Sequence, residues 1–467
     1  YVKLVRMSGF ARINYNYAHK YYLTATLRAD GSSNFAANRK WGFFPSAALK
    51  WNIRQEDFLR YARWLNQLEL RLSYGRTGND DIPSYRSLQA YSTGFSYIFD
   101  GLNGPIYSPS RLDNPNLTWE TTDQFNVALE TAMFNNRLSI TLEGYMSKTK
   151  DLLLNVSTMN TTGFSSRLSN LGLTSNMGAE LSIESRNIER SKFGWTTVFS
   201  IAHNTQMVED IGNNNYVSTV TSAGNIRYMM YGYKAGYPLN SLWGFEYAGT
   251  VKSIKDYEDN LVSKKYVYRD NHNSAVSTLG HSRYIDQNND GVLDNNDLVY
   301  LGNADPVISG GLQNNFYFGK LQLSVFFTYS YGGKMYNYSE LYMAGSKYSN
   351  QYRYMLDSWH PTRNPNSDIP RAGDTSNAML PSSFQVHDSS FIRLQDLSLK
   401  YTFDLRKTKV FRDLTLGLSG KNLYLWTKYN GYDPDVRAEE DGITLRRVDM
   451  NAYPTSRKVV LSVNVKF

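Results

Sequence analysis

The sequence predicts an all-β protein, a transmembrane antiparallel β-barrel of which this chain supplies about 13 strands. Three observations carry that prediction. The dominant hydropathy period is two, over segments of roughly 9–17 residues, the length of tilted membrane strands and their extensions. The connections between these segments alternate between short and long. The composition joins 41% hydrophobic residues to 37 Tyr, 22 Phe and 8 Trp, a tyrosine excess expected where rings sit with one end apolar and one end wet.

The strand segments run in order. Segments 4–17, 20–28 and 41–53 open the series. In 66–77, Leu68, Leu70, Leu72 and Tyr74 alternate with Glu69, Arg71 and Ser73. Segment 118–132 follows, and in 137–150 Leu138, Ile140, Leu142 and Met146 oppose Ser139, Thr141, Glu143 and Tyr145. Segments 171–186, 194–205 and 308–318 continue the pattern. In 321–333, Leu321, Leu323, Val325 and Phe327 alternate with Gln322, Ser324 and Thr328. Segment 389–403 sets Leu397, Leu399, Tyr401 and Phe403 against Ser398, Lys400 and Thr402. Segment 413–427 starts in register at Leu414, Leu416 and Leu418 and resumes one residue out of step at Leu423 and Leu425, which predicts a bulge near Gly420. The last segment, 457–467, places Val459, Leu461, Val463, Val465 and Phe467 on one face and Lys458, Ser462, Asn464 and Lys466 on the other. One greasy face and one charged face must separate two media.

The short connections are Ala18-His19-Lys20, Phe134-Asn135-Asn136 and Phe318-Gly319-Lys320, with longer ones near 54–65, 187–193 and 404–412. The long ones are 29–40, 78–117, 151–170, 206–307, 334–388 and 428–456. Outer-membrane barrels have short periplasmic turns and long extracellular loops, so the loops near 78–117, 206–307, 334–388 and 428–456 are expected outside the cell, and the chain is expected to end in the periplasm. An odd strand count does not close a typical bacterial single-chain barrel. The expectation is that further strands precede Tyr1 and that Tyr1 is not the natural start.

Composition excludes several classes. There is no cysteine, hence no disulfide scaffold, thiolate zinc site or cysteine nucleophile. The balance of 50 Lys and Arg against 42 Asp and Glu is spread thinly along the chain and makes no nucleic-acid footprint. No run of 18 apolar residues exists, so there is no transmembrane helix. The mean hydropathy of −0.49 suits a barrel in which only alternate residues face lipid.

Several stretches then carry a resemblance. Tyr22–Phe35 (YLTATLRADGSSNF), Trp41–Ser46, 66–79 (NQLELRLSYGRTGN), Asn114–Glu120 (NPNLTWE) and Ser241–Tyr247 (SLWGFEY) come first. Tyr284–Asp297 with Gly302 and Pro306, Ser390–Tyr401 (SFIRLQDLSLKY), Lys421–Tyr424 and the terminal Phe467 complete the set. In this order they resemble the SusC/RagA-type TonB-dependent outer-membrane transporters. The resemblance implies a 22-stranded barrel plugged by an N-terminal domain, of which residues 1–467 are the C-terminal portion without plug or TonB box. It implies TonB-dependent import of oligosaccharides, or in some members peptides, with a SusD-like surface lipoprotein as lid. It implies a location in the outer membrane of a Gram-negative bacterium and no enzymatic activity. The terminal strand, through Val463, Val465 and Phe467, resembles the signal read by the barrel-assembly machinery.

Two local motifs point to binding. The run Asp286-Gln-Asn288-Asn-Asp290-Gly291-Val292-Leu-Asp294-Asn-Asn-Asp297 has oxygen ligands at the spacing of an EF-hand loop, with Gly291 where such a loop turns sharply and the Val292 carbonyl as a ligand. Asp286, Asn288, Asp290, Val292, Asp294 and Asp297 are therefore expected to hold Ca2+ or Mg2+ and stiffen a long loop. Asp297 stands where Glu is usual. The loop 91–108 is rich in rings and glycine, and rings stack on sugar faces. Tyr91, Phe95, Tyr97, Phe99 and Tyr107, with Trp243 and Tyr247, are candidate contacts for substrate or lid. Trp359-His360-Pro361 is a further loop candidate. The pairs Asp80-Asp81 and Glu439-Glu440 are sequence neighbours and do not flank a substrate as acid/base pairs must. No phosphate loop, HExxH helix or triad stands out. The competing readings are a passive porin, which needs no plug, and a surface glycan-binding or adhesin module without transport.

Overall fold

The computed structural model describes residues 2–100, 102–164, 166–212, 217–223, 226–268, 278–343, 350–373, 380–405, 410–440 and 443–466. Thirteen strands form one sheet in chain order. They are β1 (Arg6–Tyr17), β2 (Tyr21–Ser32), β3 (Trp41–Asn52), β4 (Leu65–Asn79), β5 (Glu120–Met133), β6 (Leu138–Lys150), β7 (Leu173–Glu189), β8 (Phe193–Asp210), β9 (Ile308–Phe318), β10 (Leu321–Tyr331), β11 (Phe391–Asp404), β12 (Asp413–Thr427) and β13 (Lys458–Lys466). Each predicted segment is a strand of this sheet. The chain divides into two compact units, one of Tyr1–Glu189, Thr196–Asn215 and Lys234–Tyr237, the other of Arg190–Trp195, Tyr216–Tyr233 and Pro238–Phe467.

In the first unit the alternation becomes rungs that run across the strands. One rung is Tyr17, Tyr21, Trp51, Leu70, Leu129, Leu142 and Leu181. Its neighbour on the other face is Asn16, Tyr22, Lys50, Arg71, Ala128, Glu143 and Glu180. A slip of one residue in any strand would exchange the two faces, so the pattern itself fixes the register. The polar face pairs its charges, Arg71 with Glu130 at 2.9 Å and Lys50 with Glu69 at 3.3 Å. The apolar face is bare, with Ile13, Leu23, Leu27, Leu49, Leu142 and Met177 all exposed. A soluble protein does not leave a contiguous apolar face of this kind uncovered; lipid covers it.

Rings border that face. In the first unit Tyr17, Tyr21, Trp64 and Phe134 stand at the short-turn end and Trp41 and Phe43 at the long-loop end. In the second, Phe318, Tyr401 and Phe403 stand at the short-turn end and Tyr331, Tyr424 and Trp426 at the other. The eleven residues Leu321–Tyr331 span roughly 33 Å of strand, or about 25 Å at the usual tilt, which matches the apolar band of an outer-membrane barrel. The tight turns use left-handed backbone: Phe134, Asn135 and Asn136 have φ of 56°, 59° and 59°. Asn tolerates that region better than most residues.

The bulge differs from the expected one. Leu394 pairs with Tyr424 and Asp396 with Lys421, so Gln395 on β11 and two residues, Asn422 and Leu423, on β12 fall outside the ladder. Two extra residues preserve parity. Strand β12 therefore resumes in step, with Tyr424 and Trp426 on the lipid-facing side, and it is β11 that switches parity at Gln395.

Candidate binding surface at the long-loop end

All long connections leave the same end of the sheet, and there the polar face meets packed loops. In the first unit the anchor is a cluster of Phe35, Phe44, Ile82, Leu117 and Trp119. The Trp119 Nε1 donates to the Lys40 carbonyl at 3.0 Å. Asp80 accepts from the Ser32 hydroxyl at 2.6 Å and from Arg6 Nε at 2.8 Å. Asp80 is thus a buried strut. From this base rises a hairpin of two strands, Ala90–Phe99 and Leu102–Arg111. Arg111 holds its foot by donating to the Tyr85 carbonyl at 2.6 Å.

The hairpin presents rings outward, with Tyr91 58%, Tyr97 57% and Tyr107 68% exposed. A register irregularity between Ser92 and Phe95 divides them. Tyr91 pairs with Pro109 and so shares the face of Tyr107, whereas Tyr97 shares the face of Ile106. The side chains of Phe95 and Phe99 lie outside the described residues; their backbones pair with Ile106 and Leu102.

In the second unit the loops build their own packed layer. The strand Ser241–Phe245 is wholly buried and pairs with Leu298–Asn303. Trp243 is 4% exposed. Its Nε1 donates to the Gly232 carbonyl at 3.1 Å and its ring meets Tyr300 edge-on. Tyr247 packs against Tyr284 and Phe384, and its hydroxyl donates to the Asp368 carbonyl at 2.6 Å. Burial pushes the Tyr247 hydroxyl well above its ordinary pKa. These two rings serve the layer, while the hairpin tyrosines face outward. Trp359 is likewise buried, and the His360 ring accepts from the Thr362 amide at 3.2 Å.

The run 286–297 corrects the metal expectation. Among the described residues no cluster of His, Cys, Asp or Glu is arranged to hold a metal ion. The side chains that were expected to converge on a cation bind the loop's own amides instead. Asp286 accepts from Asn289 and Gly291 at 2.7 and 2.8 Å. Asn288 accepts from Asp290, and Asp290 from Val292. Asp294 accepts from Asn296, and Asp297 accepts from Gln287 and Asp294 at 2.9 Å each. Asp297 is fully buried. The Asp/Asn/Gly spacing that suits a cation also suits Asx turns, because both need short side-chain oxygens aimed at a tight backbone curve. Val292 is exposed. Neither Ca2+ nor Mg2+ is assigned to this loop.

A cleft of about 690 Å³ opens on the polar side of β9–β11, between Asp305, Gln395, Arg437, Arg446 and Arg447. Sequence reasoning did not single out these five. They come from separated segments, and only the parity switch at Gln395 left a trace in the alternation. A hydrogen-bonded strut holds the strap that carries the arginines. Asp433 accepts from Arg393 at 2.6 Å. Burial raises the Asp433 pKa, but the bonds from Arg393 and Thr455 outweigh it and hold the carboxyl below its usual range. At the other edge of the sheet, Val463 and Val465 lie on the exposed apolar face of β13, and Phe467 lies outside the described residues.

Comparison with known proteins follows the same lines. The family model for the TonB dependent receptor-like β-barrel matches residues 4–423. TonB-dependent receptor P26 of Formosa agariphila is 33% identical over 98% of this chain and 46% of its own length. TonB-dependent receptor SusC of Bacteroides thetaiotaomicron is 28% identical over 99% of this chain and 44% of its own. Among solved structures, the RagAB peptide transporter superposes with a TM-score of 0.79 at 25% identity, over 99% of this chain and 48% of that one. The chain thus spans about half the length of the relatives it matches. A lipid-facing wall with ring-bordered edges and loops gathered at one end is what this family builds, and the chain belongs to it: the TonB-dependent receptor β-barrels of the outer membrane.

Proposed function

We propose that the chain forms the C-terminal wall of a TonB-dependent importer that carries oligosaccharides across the outer membrane. The observation that carries this reading is the outward hairpin of Tyr91, Tyr97 and Tyr107, set on the packed base of Phe35, Phe44, Ile82, Leu117 and Trp119 in the first unit. Rigid scaffolds with binding loops are the usual division of labour, and exposed rings on a stiff ribbon suit the apolar faces of sugars. Loops near 78–117, 206–307, 334–388 and 428–456 face the cell exterior in this reading, and a SusD-like lipoprotein covers them. Energy comes through TonB, engaged by a part of the parent protein outside this chain. The terminal strand, with Val463, Val465 and Phe467, serves as the assembly signal. A peptide cargo is the second reading, and the likeness to the RagAB peptide transporter favours it.

The test uses cells that express the full-length receptor. Uptake of labelled oligosaccharides and of peptides is measured with and without an uncoupler. Energised uptake of oligosaccharide, reduced by Tyr91→Ala with Tyr107→Ala and abolished by the uncoupler, is expected. Uptake indifferent to the uncoupler, with ion conductance in planar bilayers, would make the protein a porin. Binding without uptake would make it an adhesin.

A further inference from the structure

The cleft between β9–β11 and the strap 433–447 has a feature that folding alone does not explain. Its hairpin, Arg437–Glu440 with Ile443–Arg446, pairs Arg437 directly opposite Arg446. Like charges directly opposite in an antiparallel pair are destabilising, and a two-stranded ribbon is marginal to begin with. The Arg437 guanidinium has no hydrogen-bond or ion-pair partner among the described residues. Arg446 reaches Asp305 at 3.4 Å with its side chain 63% exposed, a solvated contact, and makes a further interaction besides. The other Asp305 oxygen is already taken by Asn240 Nδ2 at 2.8 Å.

Behind this pair the wall is preorganised. Arg447 is 8% exposed. It donates to the Ser389 carbonyl at 2.8 Å and to the Ser330 hydroxyl at 2.9 Å. Gln395 is the bulged residue of β11, outside the pairing on both sides. A bulge re-aims a side chain and recurs beside binding sites, and here Gln395 lines the cleft. Asp435 also lines the cleft, so among the described residues the lining sets three guanidiniums against two carboxylates.

We propose that this cleft is an anion subsite in which Arg437 and Arg446 clamp a carboxylate group of the cargo, with Arg447 and Gln395 as its fixed back wall. An anion between the two guanidiniums turns their repulsion into a two-sided, charge-assisted clamp, and the planar fork of arginine matches a carboxylate. The inference rests on the import reading and narrows it: the cargo is acidic. The carboxylate belongs either to a uronic acid or to an acidic peptide.

The experiment is calorimetric titration of the full-length receptor in detergent micelles with four probes. These are trigalacturonate, its methyl ester, triglutamate and triglutamine. One acidic probe is expected to bind at least about tenfold more tightly than its neutral partner, and which one names the source. Arg437→Gln with Arg446→Gln removes that preference by about tenfold or more and leaves the neutral probes unchanged. Both side chains are exposed, so folding is retained. Lys255→Gln, an exposed residue of the helix Ile254–Ser263 outside the cleft, keeps the preference. Equal affinity for acidic and neutral probes, no binding of any of the four, or an acidic preference that survives the double substitution overturns the subsite. Failure of the import reading is separate: it shows as uptake indifferent to an uncoupler while the acidic preference persists.

Discussion

The anchor of the aromatic hairpin makes a quantitative demand. Phe44 is 6% exposed, and its ring lies over two glycines that leave room for it. A Cβ built on Gly78 would stand 2.1 Å from Phe44 Cζ and 3.0 Å from Trp119 Cε3; one on Gly42 would stand 2.5 Å from Phe44 Cζ. Trp119 meets the Phe44 ring edge-on at 5.4 Å, so the ring has nowhere to retreat. Phe44→Ala deletes a buried ring and should cost about 3–5 kcal/mol locally. Gly78→Ala forces overpacking and should cost about 1–3 kcal/mol. The two are neighbours through the same space, and the methyl group that Gly78→Ala adds would fill part of the cavity left by the ring. The double variant should therefore fall short of the sum by about 1–3 kcal/mol. Native-state hydrogen exchange of the full-length receptor reads this at the Ile82 and Leu117 amides, which bond to the Asp80 and Asn114 carbonyls. At about 1.4 kcal/mol per decade, Phe44→Ala should speed their exchange by two decades or more. Strict additivity, or unchanged exchange in Phe44→Ala, would refute the claim that this ring pins the loop to the wall.

Other expectations concern the turns, the loop layer and the lipid face. Glu56, in the turn after β3, accepts from Lys20 Nζ, Trp51 Nε1 and the Tyr21 hydroxyl, and these bonds bring its pKa from 4.5 down to about 2. Its contribution is therefore complete above about pH 4.5 and lost as the pH falls through about 2; Trp51 fluorescence should change in that window and Glu56→Gln should flatten the change. Asp297→Ala leaves the Gln287 and Asp294 amides without their acceptor and should cost about 3 kcal/mol or more, read as faster exchange across 286–297, whereas a chelator should leave that exchange unchanged. Leu142→Arg places a charge on the apolar face of β6 and should destabilise the folded barrel by about 2–4 kcal/mol in denaturant titrations in lipid vesicles, while Glu143→Gln on the opposite face should change it by less than about 1 kcal/mol.

The wall was legible residue by residue. Leu68 to Tyr74 and Leu321 to Phe327 announce both a strand and its lipid-facing side, because alternation is local information carried by neighbours in sequence. The turn at 134–136 was legible for the same reason, since Asn chemistry predicts left-handed backbone. The site was less legible. The 286–297 run has one composition compatible with two structures, and the choice depends on where the amides of Asn289, Gly291 and Asp294 point. Trp243 and Tyr91 are both loop aromatics in the sequence, yet one is buried under Tyr300 and the other stands in the open.

What the sequence determined by itself is the all-β barrel wall, its thirteen strands and the segregation of long loops to one end. These follow from a binary pattern read at period two and from the lengths of what lies between. Tertiary structure alone decided the parity switch at Gln395, the self-bonded loop around Asp286 and Asp297, the division of the hairpin rings and the meeting of Asp305, Arg437, Arg446 and Arg447. Those depend on contacts between segments far apart in the chain, where burial and hydrogen-bond geometry, which no single segment encodes, select one of several conformations that the local sequence permits.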